Sequence, residues 1–162
     1  MTQTPSLLAL DARRLDELID AARRSPRRRL NLNLHPTMDE PIHRLAIAME
    51  PDSYVRPHRH PARWELLIVV RGRFDVSTFD DDARLTGRIR LAAGDTAALQ
   101  YPAGTWHTLV ALDSGSVFFE VKEGPYLPVD AADWLPGAPA EGASTVPAFL
   151  QRLAVMRIGE RI

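Results

Sequence analysis

Residues 57–72 read PHRHPARWELLIVVRG, and they place an H-x-H pair close to a carboxylate and a glycine. His58 and His60 are two positions apart, so on an extended strand both side chains project to the same face. Glu65 follows the break made by a Pro-Ala-Arg tripeptide and begins the next predicted strand. From there its carboxylate can reach the same centre as the two imidazoles, while Gly72 ends the strand in a tight turn. This spacing predicts a metal site shared by two neighbouring segments.

A third imidazole comes from a later stretch, PAGTWH at residues 102–107, in which a Pro-Gly turn precedes His107. The two stretches together use three of the five histidines in the 162-residue chain. Imidazole nitrogen and carboxylate oxygen suit a divalent ion of Zn, Fe, Mn, Ni or Co, and only a neutral imidazole binds it. We therefore predict one divalent metal ion in a small β-barrel, with Glu65 either a direct ligand or a residue that orients one. The predicted metal ligands are His58, His60, Glu65 and His107.

Bulk composition narrows the classes of function. A length of 162 residues suits one domain, and hydrophobic and charged contents of 45% and 25% are ordinary for a globular protein. The net charge of −1 gives no electrostatic case for a nucleic acid or a membrane surface as partner. The absence of cysteine excludes disulfides, iron–sulfur clusters and thiolate chemistry. The N-terminal stretch MTQTPSLLAL has no basic segment and no long apolar run, so the default expectation is a cytoplasmic protein without a secretory signal.

An amphipathic helix is predicted over residues 11–24, with Asp11 as its N-cap and Ser25-Pro26 at its end. Its apolar stripe consists of Leu15, Leu18, Ile19 and Ala22. Five of the seven residues from 23 to 29 are arginine. This basic segment is either a solvated helix end and linker or a surface that binds an anion or a partner.

Short runs rich in β-branched and aromatic residues alternate with turn clusters from about residue 30 to residue 123. The predicted strands cover residues 42–49, 54–60, 65–71, 73–79, 84–91, 96–101, 106–112 and 117–123. Many short strands at regular spacing favour a sandwich or a barrel. A Pro- and Ala-rich extension follows, and residues 147–157 predict a closing helix with Pro147 at its first position. We therefore expect a helical arm at residues 1–28, a barrel at 29–125 and an extension at 126–162.

The two histidine-bearing stretches resemble the two motifs of the cupin superfamily, whose fold is a double-stranded β-helix or jelly roll. The matching positions are His58, His60, Glu65 and Gly72 in the first motif, and Gly94, Pro102, Gly104 and His107 in the second. There are departures: Asp52 replaces an opening glycine, Ala111 replaces a closing asparagine, and the second motif is longer between its first two positions. None of them removes a metal ligand. The resemblance implies an all-β core, a cupin double-stranded β-helix (jelly roll), to which the predicted N-terminal and C-terminal helices are added.

A narrower resemblance covers roughly residues 29–150, which is most of the chain. The segments that carry it are RLNLNLH at 29–35, SYVRPHRH at 53–60 and FEVKEGPY at 119–126. They look like the WbuC family of cupin-fold metalloproteins, whose members are associated with bacterial surface-polysaccharide (O-antigen) gene clusters. The resemblance implies a metal and a sugar-linked role, and it implies no particular reaction.

Strand alternation nominates further residues for a cavity around the metal. Tyr54 and Arg56 share a face with His58 on the predicted strand 54–60. An inward Arg56 suits a substrate carboxylate or phosphate, or else it pairs with a buried acid such as Glu120. Tyr54 is a candidate for proton transfer.

Glu120 and Lys122 share one face of the predicted strand 117–123, either in a polar cavity or as a pair on the surface. Among the 20 basic residues, Lys122 is the one lysine. Desolvation can lower the pKa of a lysine and suit it to proton transfer. We therefore expect these two residues to be catalytic if they lie in the cavity.

The polar residues ahead of the barrel also alternate. Asn31, Asn33 and His35 share one face, where they either line the cavity mouth or satisfy backbone groups. His43 has no partner in the metal pattern and is expected at the surface.

Three hypotheses of function follow. The first is a metal-dependent isomerase or epimerase acting on a small, polar, sugar-derived substrate, in which the metal is a Lewis acid. Its proton-transfer residues are Glu120, Lys122 and Tyr54, and its substrate-binding residues are Arg56, His35 and Asn33. The second is an Fe(II)-dependent dioxygenase, and the third is a non-enzymatic metal-dependent sensor or binding protein. A homodimer is an open alternative for the assembly.

Overall fold

The computed structural model describes residues 7–162, and residues 1–6, where the predicted helical arm begins, lie outside this range. The described helices are α1 (Ala12–Arg24) and α2 (Val146–Val155). The described strands are β1 (Arg29–Asn33), β2 (Ile42–Met49), β3 (Glu65–Arg71), β4 (Arg73–Phe79), β5 (Leu85–Ala92), β6 (Ala98–Tyr101), β7 (Trp106–Ala111) and β8 (Ser116–Glu123). Within residues 7–162, neither helix combines the length and the hydrophobicity that crossing a membrane requires.

The strands form two antiparallel sheets that face each other across a hydrophobic core. One sheet has the strand order β1-β2-β8-β3-β6, and the other has the order β5-β4-β7. Phe74 of the three-stranded sheet is fully buried, and its ring meets the edge of Phe118 from the five-stranded sheet at a centroid distance of 5.2 Å. The predicted fold class is confirmed, since the core is an all-β jelly roll with a helix at each end.

Helix α1 packs on the outer face of the five-stranded sheet. The side chain of Asp11 accepts a hydrogen bond from the backbone N–H of Arg14 at 2.9 Å, which is the N-cap that the sequence predicts. The predicted apolar stripe is buried against Ala46 and Ala48 of β2 and Val117 of β8. Small side chains on the sheet let the helix approach closely, and burial of the stripe stabilises the contact.

The extension after β8 covers the three-stranded sheet. Leu135 and Leu153 are buried against Phe79 and Trp106 in a second hydrophobic cluster. Helix α2 contributes to this cluster, and it begins one residue before the predicted start and ends at Val155. The extension therefore covers the outer surface of this sheet around Phe79 and Trp106, whereas the side chain of Arg90 on the same face stays exposed.

The predicted strand at residues 54–60 does not form, and this prediction is wrong. Within it only His58 pairs, in isolated bridges with His107 and Trp134. Pro57 explains the difference, because a proline has no N–H to give to a strand ladder. Alternation therefore does not decide the direction of the side chains ahead of His58.

Candidate metal centre and its cavity

Two strands and one loop bring the four predicted metal ligands together. Glu65 is the first residue of β3, where it lies opposite Tyr101 of β6 and Lys122 of β8. His107 is the second residue of β7, and its backbone exchanges hydrogen bonds of 3.0 and 2.8 Å with that of His58. This bridge holds His58 beside the sheet although its own segment is not a strand.

The four side chains are in contact with one another. The ring centroids are 4.9 Å apart for His58 and His60, and 4.6 Å apart for His58 and His107. Nε2 of His60 lies 3.3 Å from Oε1 of Glu65, and Nε2 of His107 lies 3.1 Å from Oε2. Glu65 and His107 are each only 4% exposed, so the group is an enclosed polar cluster.

Backbone carbonyls fix the orientation of two of the imidazoles. Nδ1 of His58 lies 2.8 Å from the carbonyl oxygen of Arg56, and Nδ1 of His107 lies 2.8 Å from that of Thr105. A carbonyl oxygen only accepts hydrogen bonds, so each Nδ1 carries a proton and donates it. The free electron pair of the neutral ring is then on Nε2. Histidines that bind metals are commonly held in this way.

The surroundings of His107 test whether a cation fits this cluster. Its Nδ1 donates to a carbonyl oxygen, and its Nε2 faces the carboxylate of Glu65. A neutral imidazole has only one N–H, yet an oxygen atom faces each of its two ring nitrogens here. The ring must therefore be an imidazolium, or Nε2 and the carboxylate must share a cation. Within residues 7–162, no group of three or more such side chains is already arranged around one coordination point. In this cluster Glu65 contacts the rings of His60 and His107 directly. The donor set itself, imidazole nitrogen with carboxylate oxygen, fits a divalent ion.

Electrostatics favours neutral imidazoles at His58 and His60 and an ionised carboxylate at Glu65. Burial, reinforced by the neighbouring His107 and His60, lowers the pKa of His58 to about 3. Burial also lowers the pKa of His60, although Glu65 acts in the opposite direction. Burial alone raises the pKa of Glu65, but the hydrogen bond from His107 and the charge of Lys122 outweigh it, so that pKa falls below its usual 4.5. These are the protonation states that metal ligands require.

The cluster lies at the junction of a two-part cavity. The inner cavity, of about 460 Å³, lies within the barrel, and the outer cavity, of about 430 Å³, lies against the C-terminal extension. Glu65 and His107 line the inner cavity, and His60 lines the outer one. His58 and Lys122 line both, so the two cavities adjoin at the metal cluster. A volume of this size suits a small-molecule ligand.

Glu120 and Lys122 lie in the inner cavity and not on the surface. Nζ of Lys122 is 2.7 Å from Oε1 of Glu120 and 3.3 Å from Oε1 of Glu65. Burial by itself lowers the pKa of Lys122, but the two carboxylates outweigh it and raise that pKa above 10.5. The expected lowering of the lysine pKa is therefore wrong in direction. Burial raises the pKa of Glu120, and the charge of Lys122 offsets part of that rise.

Arg56 lines the outer cavity. Its guanidinium carbon lies 5.0 Å from the centroid of the Trp134 ring, a cation–π contact. Among the described residues its Nε is buried without a hydrogen-bond partner. Glu120 pairs with Lys122, so it does not serve Arg56 as the buried acid that the sequence offered.

Tyr54 points away from the cavity, which contradicts its predicted catalytic role. Its hydroxyl donates to the carbonyl oxygen of Pro139 at 2.8 Å, and its ring packs edge-on against Phe149 at 5.7 Å. Burial raises the pKa of Tyr54 above its usual value. The physical reason for the error is the missing strand at 54–60, since alternation was the basis of the prediction. Tyr54 instead anchors the C-terminal extension on the barrel.

His35 and Asn33 both line the inner cavity. Nδ1 of His35 lies 3.1 Å from the backbone nitrogen of Arg44, whereas its Nε2 is buried without a partner among the described residues. His43 stacks on His35 at a centroid distance of 4.3 Å. The expectation that His43 lies at the surface is wrong, because it is only 2% exposed.

Two aromatic residues of the site were not predicted from the sequence. Tyr101 stacks on His107 at a centroid distance of 4.3 Å, and its hydroxyl is buried without a partner in residues 7–162. Trp134 bridges to the backbone of His58 and lies under Arg56. Tyr101 directly precedes Pro102 within the second motif, which is a usable signal, whereas no local pattern links Trp134 to the site.

Comparison with solved structures supports a cupin-type jelly roll. The structure of KdgF from Halomonas sp. has a TM-score of 0.50 and 23% identity, over 64% of this chain and 85% of that chain. Oxalate oxidase in complex with glycolate has a TM-score of 0.52 and 16% identity, over 82% and 69%. The capsular polysaccharide assembling protein CapF of Staphylococcus aureus has a TM-score of 0.51 and 16% identity, over 60% and 27%. At these identities the likeness shows the fold alone, and the fold is that of the cupins.

The chain belongs to a family described as a domain of unknown function, DUF6016. The match covers residues 10–91, about half of the chain, from the start of α1 through most of β5. A comparison with curated proteins gives no match. The narrower resemblance to the WbuC family stays a prediction.

Proposed function

We propose that this protein is a metal-dependent cupin enzyme that acts on a small, polar, sugar-derived substrate. The observation that carries the proposal is the common arrangement of His58 and His107, whose Nδ1 atoms donate to backbone carbonyls beside the carboxylate of Glu65. Imidazoles held in this way leave Nε2 free to bind an ion. Their position at the junction of two cavities gives such an ion access to a small molecule.

His58, His60, His107 and Glu65 would hold the ion. When bound, a divalent ion supplies Lewis-acid polarisation of a carbonyl or hydroxyl oxygen. The remaining steps belong to side chains of the chain itself, which must bind the substrate, orient it and hold a proton near it.

Glu120 and Lys122 are suited to hold that proton. Their side chains are 2.7 Å apart inside the cavity, and Lys122 is 3.3 Å from Glu65. Glu120 can take a proton from a substrate carbon or hydroxyl, and the ammonium of Lys122 can stabilise the negative charge that develops on a nearby oxygen. Such a pair suits isomerase or epimerase chemistry.

The substrate class is inferred from the polar lining of the inner cavity. Asn33 and His35 present hydrogen-bonding groups there, and Arg56 adds a guanidinium from the outer cavity. Groups of this kind suit a molecule with several hydroxyls. The segments that resemble WbuC support the same substrate class, because members of that family are associated with surface-polysaccharide gene clusters.

The test is turnover by purified, metal-loaded protein on a panel of sugars and nucleotide sugars, followed by mass spectrometry and by NMR for isomers of equal mass. We expect an isomerised product, and we expect Glu120→Gln to reduce its rate by about 100-fold, because general acid–base groups contribute this much or more. Glu123→Gln on the same strand is the matched control and should retain the rate. A panel without product overturns the proposed activity, and oxygen consumption with an oxidised product identifies a dioxygenase instead.

A further inference from the structure

Arginine side chains form much of the wall of the outer cavity. Arg56 and Arg63 come from the segment around the H-x-H pair, Arg27 comes from the link between α1 and β1, and Arg29 is the first residue of β1. Among the described residues, Glu141 is the one carboxylate that lines this cavity. Four guanidinium groups therefore surround a space that contains a single negative charge.

Glu141 is shared between two of the arginines. Its carboxylate lies 2.6 Å from Nε of Arg27 and 3.1 Å from a terminal nitrogen of Arg29. The side chain of Arg29 is only 12% exposed, so bulk water does little to screen its charge. Burial and the neighbouring Arg27 lower the pKa of Arg29, although Glu141 acts in the opposite direction. Arg29 also donates from Nη1 to the carbonyl oxygen of Tyr54 at 2.6 Å, and Arg27 uses Nε and one terminal nitrogen on Glu141. The second terminal nitrogen of Arg27 and the Nε of Arg29 remain as donors for a ligand.

The other two arginines have no carboxylate of their own in the described part of the chain. Arg56 makes its cation–π contact with Trp134, and its buried Nε has no acceptor within residues 7–162. Arg63 likewise forms no ion pair there within 4.0 Å. A buried N–H without an acceptor is unfavourable unless a ligand supplies one.

Unpaired polar atoms continue into the inner cavity. Nε2 of His35 and the hydroxyl of Tyr101 are both buried without partners among residues 7–162, and both residues line that cavity. The outer part of the space is thus cationic, with Arg56 and Arg63 on its wall alone. The inner part adds the neutral hydrogen-bonding groups of Asn33, His35 and Tyr101 to the ion-paired Glu65, Lys122 and Glu120. A ligand that satisfies both parts has an anionic group at one end and hydroxyls at the other.

We propose that the substrate is a phosphorylated sugar, whose phosphoryl group is bound in the outer cavity by Arg27, Arg29, Arg56 and Arg63. This inference rests on the proposed function in that it takes the cavity beside the metal cluster to be the substrate site. A phosphoryl group suits the outer cavity better than a carboxylate does, because it brings up to two negative charges and three acceptor oxygens to four guanidiniums. The sugar ring then lies in the inner cavity beside His35 and Tyr101.

Calorimetric titration with glucose 1-phosphate, UDP-glucose, inorganic pyrophosphate and glucose tests the proposal. Each is added to metal-loaded protein and to protein treated with EDTA, so that binding to the arginines is separated from binding to the ion. We expect the phosphorylated probes to bind and glucose to bind at least tenfold more weakly. A comparison of the affinities for glucose 1-phosphate and UDP-glucose then shows whether the phosphoryl group belongs to a sugar monophosphate or to a nucleotide sugar.

Arg56→Gln and Arg63→Gln are the decisive variants, because neither residue holds an ion pair that the fold would lose. Each is expected to weaken binding of the phosphorylated probes about tenfold or more, since a charge-assisted hydrogen bond is worth that much. If Arg56→Gln does not fold, Arg63→Gln still tests the proposal, because Arg63 lies on a loop. Arg13→Gln is the matched control, because Arg13 is an exposed partner of Glu17 on α1, and it should leave binding unchanged.

Wild-type affinity in both cavity variants, or glucose binding as tightly as its phosphate, overturns the inference. The metal content of the same samples judges the proposed function separately. A protein that contains metal but does not bind the phosphorylated probes overturns the phosphoryl site alone. A metal-free protein that binds them through Arg56 and Arg63 supports the phosphoryl site and overturns the role of the metal.

Discussion

At the scale of single residues, His107 connects three parts of the site. Its ring stacks on Tyr101, its Nδ1 is bonded to the carbonyl of Thr105, and its Nε2 lies 3.1 Å from Glu65. A buried imidazole held on two sides cannot rotate away from the cluster. The side chain is thus prepared to bind an ion without a large loss of conformational entropy.

Gly72 is the residue whose substitution has the clearest consequence for stability. Its φ of +70° is unfavourable for other residues, and a Cβ atom there would lie 2.2 Å from Oγ of Ser116. We expect Gly72→Ala to lower the free energy of unfolding by about 2 kcal/mol or more, from backbone strain and the clash together. Urea unfolding measures this change.

Gly142→Ala separates the two causes. Gly142 has a φ of +83°, but a Cβ atom there would meet nothing within 4 Å. Gly142→Ala should therefore show the backbone strain without the clash, and it should lose less stability than Gly72→Ala. Equal losses in the two variants would contradict the role given to Ser116.

The residues of the site differ in how far the sequence predicts them. His58, His107 and Glu65 follow from spacing, because short segments carry them and the turns between are marked by proline and glycine. Tyr54 does not, because its hydroxyl partner Pro139 is 85 residues away. The direction of the Lys122 pKa likewise depends on two carboxylates that different strands supply, and no local pattern counts them.

At the scale of elements, strand bounds are predicted well where proline, glycine or aspartate residues mark both ends of the run. The predicted bounds of β2, β3 and β4 agree with the structure to the residue. Side-chain alternation along β2 places His43 on the same inward face as Leu45, so the sequence does contain a signal for its burial. The strand predicted around Pro57 is wrong because the geometry of this segment depends on distant partners. His58 pairs there with β7 and with the C-terminal extension.

Glu141 joins two elements, the link before β1 and the C-terminal extension. Burial alone raises the pKa of Glu141, but the hydrogen bonds and charges of Arg27 and Arg29 outweigh it and bring that pKa below its usual 4.5. A carboxyl whose folded-state pKa is lowered adds stability above its unfolded pKa and loses it as the pH falls through the folded pKa. We expect Glu141→Gln to be less stable than wild type near pH 7, with the difference shrinking below about pH 4.5.

Urea unfolding at a series of pH values measures this difference. Glu17→Gln is the control, because its ion pair with Arg13 is exposed and lies within one helix. Such surface pairs contribute little, so its effect should be smaller at every pH. A difference for Glu141→Gln that stays constant from pH 7 to pH 3 would contradict the stabilising role of the ion pairs of Glu141 with Arg27 and Arg29.

At the scale of the whole molecule, the metal cluster lies where the two sheets, the H-x-H loop and the extension meet. An ion that binds only the folded state stabilises all of them together, by about 2.7 kcal/mol at a free concentration of 100 times its Kd. We expect EDTA to lower Tm by roughly 5–10 °C and added metal to restore it. The shift should shrink at acidic pH, because protonated imidazoles do not bind the ion.

Differential scanning calorimetry with and without EDTA measures this shift, and His107→Gln is the variant that should abolish it. Tyr54→Phe is the control, since Tyr54 lies in the same region but points away from the cavity. If EDTA left the Tm of the wild-type protein unchanged, the ion would not stabilise the fold and the expectation would be wrong.

The metal stoichiometry of the purified protein tests the central claim most directly. The account predicts about one divalent ion per chain in wild type, as a mononuclear site requires. Elemental analysis after metal loading and desalting should find this ion in Tyr54→Phe, and find it lost in His58→Gln and His107→Gln. Equal metal content in all four proteins, or none in wild type, would contradict the claim.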